Sequence, residues 1–335
     1  MCPRINLMKK LIQIFRNIIQ YLETADIPFS YFILTFLAAT TLRNFFEQLV
    51  FPDTDPAHMA VDFLHYYLSY ICLAFVFIIL FRIATKEDVA RISRVVLPAF
   101  IILNIVPLLD YFFLGQGREY SLGYIFPDQH GPLLTRFLTF FGPLGESGIT
   151  IGMRIEIVIV ILTSGFYFAL KGLSWPKNLF FCVVTYSLIF IYCALPYSIK
   201  GFFKLMNIDC ALDARLLIQF YLLLIFLLRV GLAFLYRRDY FLALVKDMRL
   251  FRLLHFELMF FIGMAWATHM GTGIVVWNQQ RFFEIVFTTI AIAQAWMFSV
   301  ITNNLADIQS DRINAKQRPT ISETIPLDQI GRAHV

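Results

Sequence analysis

Charged residues are scarce in this sequence. Only 15% of its 335 residues are charged, 59% are hydrophobic, and the mean hydropathy is +0.69. An ordinary soluble domain has about 25% charged and about 45–50% apolar residues. The shortage of charge therefore argues against a water-soluble globular enzyme.

Paired cysteines and long basic runs are missing as well. The cysteines have no CxxC spacing and lie mostly in apolar stretches, at Cys2, Cys72, Cys182, Cys193 and Cys210. This pattern supports neither a disulfide framework nor a zinc site. The formal net charge is +5, but no basic run outside the apolar blocks is long or interleaved with aromatic residues. We therefore expect no nucleic-acid partner.

Long apolar blocks dominate the chain instead. Windows of span length predict transmembrane segments at 29–50, 61–84, 95–114, 151–171, 178–199, 215–236, 256–274 and 282–303. Each is close to the ~20 residues that cross a bilayer, and helices satisfy their own backbone groups in lipid. The predicted fold is an all-α polytopic membrane protein with about eight transmembrane helices.

A different pattern precedes these segments. From Ile5 to Glu23, basic and amide residues alternate at helical spacing with a face of leucine, isoleucine and phenylalanine. The pattern predicts an N-terminal amphipathic helix that lies in the headgroup region. It lacks the uninterrupted apolar core and cleavage site of a secretory signal.

Loop charges predict the orientation. Basic residues flank two short connections, at Arg82, Lys86, Arg91 and Arg94 and at Arg237, Arg238, Lys246, Arg249 and Arg252. The loop around Asp53 and Asp55 is acidic. The positive-inside rule then predicts an integral protein of a cytoplasmic or inner membrane with both termini cytoplasmic.

Ionisable residues also occur within the predicted spans. They are Arg43 with Glu47, His65, Asp110, Arg154 with Glu156, and Arg229. Such residues are functional candidates by default, but most lie near span ends, where long side chains reach the interface. For each of them we favour packing or ion pairing between helices over direct chemistry.

One segment carries a chemical pattern. Asn303, Asp307 and Asp311 follow the last span at i, i+4 and i+8, so a continuing helix would place them on one face. Two carboxylates and an amide supply the oxygen ligands that Mg²⁺ takes, commonly together with substrate phosphates. Lys316 and Arg318 follow and supply cationic donors for phosphate oxygens. The pattern predicts a Mg²⁺-dependent site for a diphosphate.

This segment resembles a known family. NxxxDxxxD followed by Arg, Asn and a basic-Xaa-Arg-Pro run is similar to the first aspartate-rich motif of the UbiA-type intramembrane prenyltransferases, over roughly Met248 to Ser322. The resemblance implies a helical bundle that holds Mg²⁺ against a polyprenyl diphosphate. It implies that Asn303, Asp307 and Asp311 are metal and diphosphate ligands, with Asp307 and Asp311 catalytic. Lys316 and Arg318 would bind the diphosphate, and Asn304 stands where many members have a second Asp.

The resemblance suggests a division of the chain. Residues 1–240 would be an N-terminal membrane extension, and 241–329 the start of a UbiA-like prenyltransferase domain with two helices and the first motif. The last residues, 330–335, match the translation of a common sequencing adapter. We expect them to be a non-native tail and the gene to continue past about Gln329, with the family's second aspartate-rich motif downstream.

The leading functional hypothesis is a prenyltransferase. It would transfer a polyprenyl group from its diphosphate to an aromatic ring, a sugar phosphate or another lipid, in contact with the bilayer. The alternative is a membrane transporter or lipid-handling protein in which Asp110, Arg229 and His65 line a path and the aspartate stripe is incidental. A third possibility is that the extension scaffolds the catalytic half or delivers a lipid substrate to it.

Overall fold

Helices are the regular secondary structure in the part of the chain that the structure describes. The structure is a computed structural model, and it describes residues 3–50, 55–114, 124–125, 132–143, 149–208, 210–270 and 278–307. These residues contain no β-strand. This confirms the predicted all-α class.

The described residues form a series of α-helices. They are α1 (Pro3–Thr24), α2 (Phe29–Val50), α3 (Pro56–Thr85), α4 (Val89–Ala99), α5 (Ile105–Leu114), α6 (Leu133–Leu138), α7 (Ile151–Leu170), α8 (Trp175–Cys193), α9 (Leu195–Leu205), α10 (Ala214–Tyr236), α11 (Arg238–Asp247), α12 (Leu250–Met270) and α13 (Gln279–Ala306). A 3₁₀ segment, Phe100–Asn104, joins α4 to α5. It follows Pro98, which removes a backbone donor from the end of α4.

The described helices include seven stretches that are long and apolar enough to cross a membrane. They are Met59–Thr85, Val89–Phe113, Ile151–Leu170, Trp175–Cys193, Ala214–Tyr236, Leu250–Met270 and Gln279–Ala306. The first predicted span, 29–50, coincides with α2, which qualifies only together with the end of α1, from which it is bent by 118°. The prediction of about eight membrane helices is confirmed.

Polar caps mark the starts of several helices. The Asp88 carboxylate accepts a hydrogen bond from the backbone N–H of Ala90 at 2.8 Å, so α4 begins earlier than the predicted 95. The Asn278 side chain accepts one from the N–H of Arg281 at 2.8 Å and starts α13. Such caps satisfy donors that the first helical turn leaves unpaired.

The chain divides into two compact units. The first comprises Met1–Met206 with Ala211–Arg229, and the second comprises Asn207–Cys210 with Val230–Val335. The division falls within α10. The boundary between 240 and 241 lies within the basic connection that follows α10 and stays a prediction.

An ion-pair cluster joins three parts of the first unit. The Lys171 ammonium lies 2.7 Å from Glu23 Oε2 and 3.0 Å from Glu87 Oε1. The Tyr167 hydroxyl donates to Glu23 Oε1 at 3.0 Å. Since Glu23 is only 8% exposed, these partners replace water around its carboxylate. The cluster ties the end of α1 and the connection between α3 and α4 to the end of α7.

A second polar contact joins α5 to the start of α7. Both oxygens of the buried Asp110 carboxylate are used: Oδ2 accepts from Thr150 Oγ1 at 2.6 Å, and Oδ1 from the Gly152 N–H at 2.8 Å. A Cβ at Gly152 would lie 2.7 Å from Asp110 Oδ1 and 2.7 Å from the Val106 carbonyl oxygen. Glycine at position 152 therefore allows α5 and α7 to approach each other closely. These contacts support the helix-packing interpretation of Asp110.

The close approach at Gly152 gives a stability prediction. Gly152→Ala should lower the thermal unfolding midpoint of the detergent-solubilised chain, because overpacking of this kind costs about 1–3 kcal/mol. Gly201→Ala is the matched control, because a Cβ there has open space around it within α9. Equal midpoints for the two variants would show that the contact does not constrain α5 against α7.

The ion-pair cluster around Lys171 gives a second stability prediction. Lys171→Met should destabilise the chain by about 1–3 kcal/mol, since it leaves the buried Glu23 carboxylate without its cation. Arg281→Met breaks the exposed Arg281 to Glu284 pair and should cost less than about 1 kcal/mol. Thermal unfolding of both variants measures the difference, and equal losses would contradict a structural role for the cluster.

Candidate functional site

Two of the predicted metal and diphosphate ligands lie at the end of α13. Asn303 and Asp307 are both exposed, and the Asp307 backbone N–H donates to the Asn303 carbonyl at 2.9 Å. They therefore lie one helical turn apart. Asp311, Lys316 and Arg318 lie outside the described residues. The side chains of Asn303 and Asp307 offer oxygen atoms as metal ligands, and oxygen ligands suit Mg²⁺, a hard cation.

The neighbouring Asn304 has a different environment. It is only 1% exposed, and its Nδ2 donates to the Asp247 carboxylate at the end of α11. The Trp296 indole N–H, on the same helix, donates to the Met248 carbonyl at 2.6 Å. These two hydrogen bonds fix α13 against the connection between α11 and α12. Successive helical residues differ by about 100°, so Asn303 is directed away from this contact.

The contact gives a physical reason for asparagine at position 304. The partner of Asn304 is a carboxylate, so the position needs a donor. A second aspartate, as in many members of the resembled family, would place two carboxylates together. Asn304 is therefore a structural residue here, and the described carboxylate of the motif is Asp307.

The second candidate site is a cavity within the first unit. Its volume is about 340 Å³, and its walls are mainly aliphatic and aromatic side chains from α1 to α5, α7 and α8. One guanidinium and three carboxyl groups line it, those of Arg43, Glu47, Asp110 and Glu156. They lie within electrostatic range of one another. The sequence did not indicate that they share one space.

The partners of these four residues differ. Arg43 and Glu47 form an ion pair one turn apart on α2, as the i,i+4 spacing predicts. Asp110 is held by Thr150 and Gly152. Glu156 accepts no hydrogen bond from the residues that the structure describes, although Arg43 is near enough to act on it electrostatically.

Arg154, two residues before Glu156 on α7, contacts another segment. Its guanidinium donates to the carbonyl oxygen of Phe140 at 3.0 Å and to that of Pro143 at 3.4 Å. Residues two apart on a helix do not face each other, which explains why the two side chains separate. Glu156 therefore lines the cavity and Arg154 does not.

A buried histidine connects to the same cavity. His65 is fully buried, and its Nε2 lies 2.8 Å from the Tyr124 hydroxyl, which in turn lies 2.7 Å from the Tyr221 hydroxyl. Tyr124 lines the cavity, and burial raises the pKa of its phenol, so the hydroxyl keeps its proton. Arg229, the remaining residue of the alternative path, is exposed on α10.

Comparisons with known proteins give no relative: no family model, curated protein or solved structure matches this chain. The resemblance to prenyltransferases therefore depends on the motif residues themselves.

The hydrogen bond between Asn304 and Asp247 can be tested by exchanging the amide and the carboxylate between the two positions. Asn304→Asp should destabilise the chain by about 1–3 kcal/mol, because two carboxylates would meet in a partly buried contact. Combining it with Asp247→Asn restores one donor and one acceptor and should recover most of the loss. Thermal unfolding of the single and double variants decides the matter. A double variant less stable than Asn304→Asp alone would contradict the pairing.

Proposed function

We propose that this chain belongs to an integral-membrane prenyltransferase that transfers a polyprenyl group from its diphosphate to an acceptor. The observation that supports the proposal is the placement of Asn303 and Asp307, exposed on successive turns at the end of a helix long enough to cross the membrane. The acceptor would be an aromatic ring, a sugar phosphate or another lipid.

Each motif residue has a role in this proposal. The Asp307 and Asp311 carboxylates would hold Mg²⁺, with the side-chain oxygen of Asn303 as a further ligand. Bound Mg²⁺ supplies Lewis-acid stabilisation of the charge on the departing diphosphate. Lys316 and Arg318 donate to phosphate oxygens and keep the diphosphate at the membrane edge. Asn304 and Asp247 keep the motif face of α13 turned outward.

The orientation proposed from loop charges is compatible with this chemistry. Both termini are cytoplasmic, so the end of α13 opens to the side of the membrane where Mg²⁺ and soluble diphosphates occur. The connection that contains α11 is basic and lies on the same side.

The proposal predicts the effect of losing one carboxylate. In the full-length protein, Asp307→Ala or Asp311→Ala should lower Mg²⁺-dependent prenyl transfer by more than about a hundredfold, because metal stabilisation amounts to several kcal/mol. Radiolabelled polyprenyl diphosphate with membrane extract as the acceptor source measures the transfer.

The matched control is another exposed carboxylate on the same helix. Glu284→Ala lies in the first turns of α13, far from the motif, and should retain transfer. Thermal unfolding of each variant separates a lost ligand from a lost fold. Undiminished transfer by a folded Asp307→Ala protein would overturn the proposed function.

A further inference from the structure

The cavity of the first unit lies outside the proposed prenyl-transfer motif and has its own chemistry. Its volume, about 340 Å³, falls within the range of about 300–1,000 Å³ found for small-molecule sites. Leu73, Phe77, Phe100 and Ile157 are among the apolar residues that line it. Such walls fit a hydrocarbon portion of a ligand, which the surrounding bilayer can supply.

The charges of the lining are unequal. Among the described residues that line the cavity, Arg43 supplies one guanidinium, whereas Glu47, Asp110 and Glu156 supply three carboxyl groups. Arg43 is engaged by Glu47, and Asp110 by Thr150 and Gly152. Glu156 is the carboxyl group without a hydrogen-bond donor from the described residues. A carboxyl group in an apolar, membrane-embedded space requires a partner.

The aromatic residues around these acids favour a cation as that partner. Tyr66 and Tyr70 line the cavity, stack on each other with ring centroids 6.2 Å apart, and interact electrostatically with both Arg43 and Glu47. Faces of tyrosine rings attract ammonium groups. A phosphate or diphosphate would instead meet an excess of carboxylates, so the cavity is unsuited to the prenyl donor.

We propose that this cavity binds an amphipathic amine, a molecule with an apolar chain and a cationic amino group, with Glu156 as the counter-ion of the amine. The apolar chain lies against the aliphatic and aromatic walls. The amino group donates to the Glu156 carboxylate and lies beside the tyrosine rings. The proposal concerns the first unit alone and does not depend on the prenyl-transfer proposal.

Photolabelling of the full chain in lipid nanodiscs tests the proposal. The probe is a long-chain alkylamine that carries a diazirine, and mass spectrometry locates the label. We expect label in peptides of α3 and α7, and at least about tenfold less label in Glu156→Gln, because the charge-assisted hydrogen bond is lost. Glu257→Gln is the matched control, since Glu257 lies in a membrane-spanning helix of the second unit, and it should label normally.

Competition identifies the ligand class. The unlabelled alkylamine should displace the probe, whereas the alkyl phosphate of equal chain length and methylammonium should not. Equal displacement by the phosphate would overturn the charge assignment, and equal displacement by methylammonium would overturn the requirement for an apolar chain. Undiminished labelling of Glu156→Gln would overturn the role of Glu156.

Two further variants keep the test decisive. Val160→Trp retains Glu156 but fills the cavity, so it should also lose the label, and it replaces Glu156→Gln if that variant fails to fold. Labelling retained by a folded Val160→Trp protein would overturn the site. Asp307→Ala should leave amine labelling unchanged, so failure of this inference and failure of the prenyl-transfer proposal are distinguishable.

Discussion

The Asp110 carboxylate is the constraint on which the arrangement of the first unit depends. It joins helices whose contacting residues are 40 and 42 positions apart in the sequence, and both of its oxygens are used. In a membrane interior, a carboxylate without donors is costly, so the start of α7 must remain where it can donate. Glu156 lies one turn beyond Gly152 on α7. The contact that fixes α7 therefore also fixes the acid in the cavity.

The sequence predicted the helical spans well because the bilayer imposes a simple requirement. Every backbone group in the apolar region needs an internal partner, so a long apolar block becomes a helix. Helix α12 begins at Leu250, earlier than the predicted span of 256–274, since Arg252 and His255 lower the apolar signal before Phe256. Helix spacing also predicted the Arg43 to Glu47 pair and the single turn between Asn303 and Asp307.

The features that the sequence did not predict depend on contacts between residues that are distant in the sequence. Spacing along one helix does not reveal such contacts. Glycine at position 152 is explained only by the side chain of Asp110 on another helix. From the sequence alone, Asn304 looks like a substituted motif residue. Its hydrogen-bond partner Asp247 lies 57 positions away in the sequence, so the motif itself does not reveal the contact. Arg154 and Glu156 are close in sequence, yet an interval of two residues directs their side chains to different faces of a helix. A cavity is a property of several helices, so no single pattern predicted it.

The pairing of Asn304 with Asp247 also restricts the order in which this protein can change. Asn304→Asp is a single substitution, but while Asp247 is present it places two carboxylates against each other. If Asp247 changes first to a neutral residue, the same substitution becomes acceptable. Substitutions at positions 247 and 304 are therefore coupled. The residue at 247, at the end of α11, determines which residues are tolerated at 304 in α13.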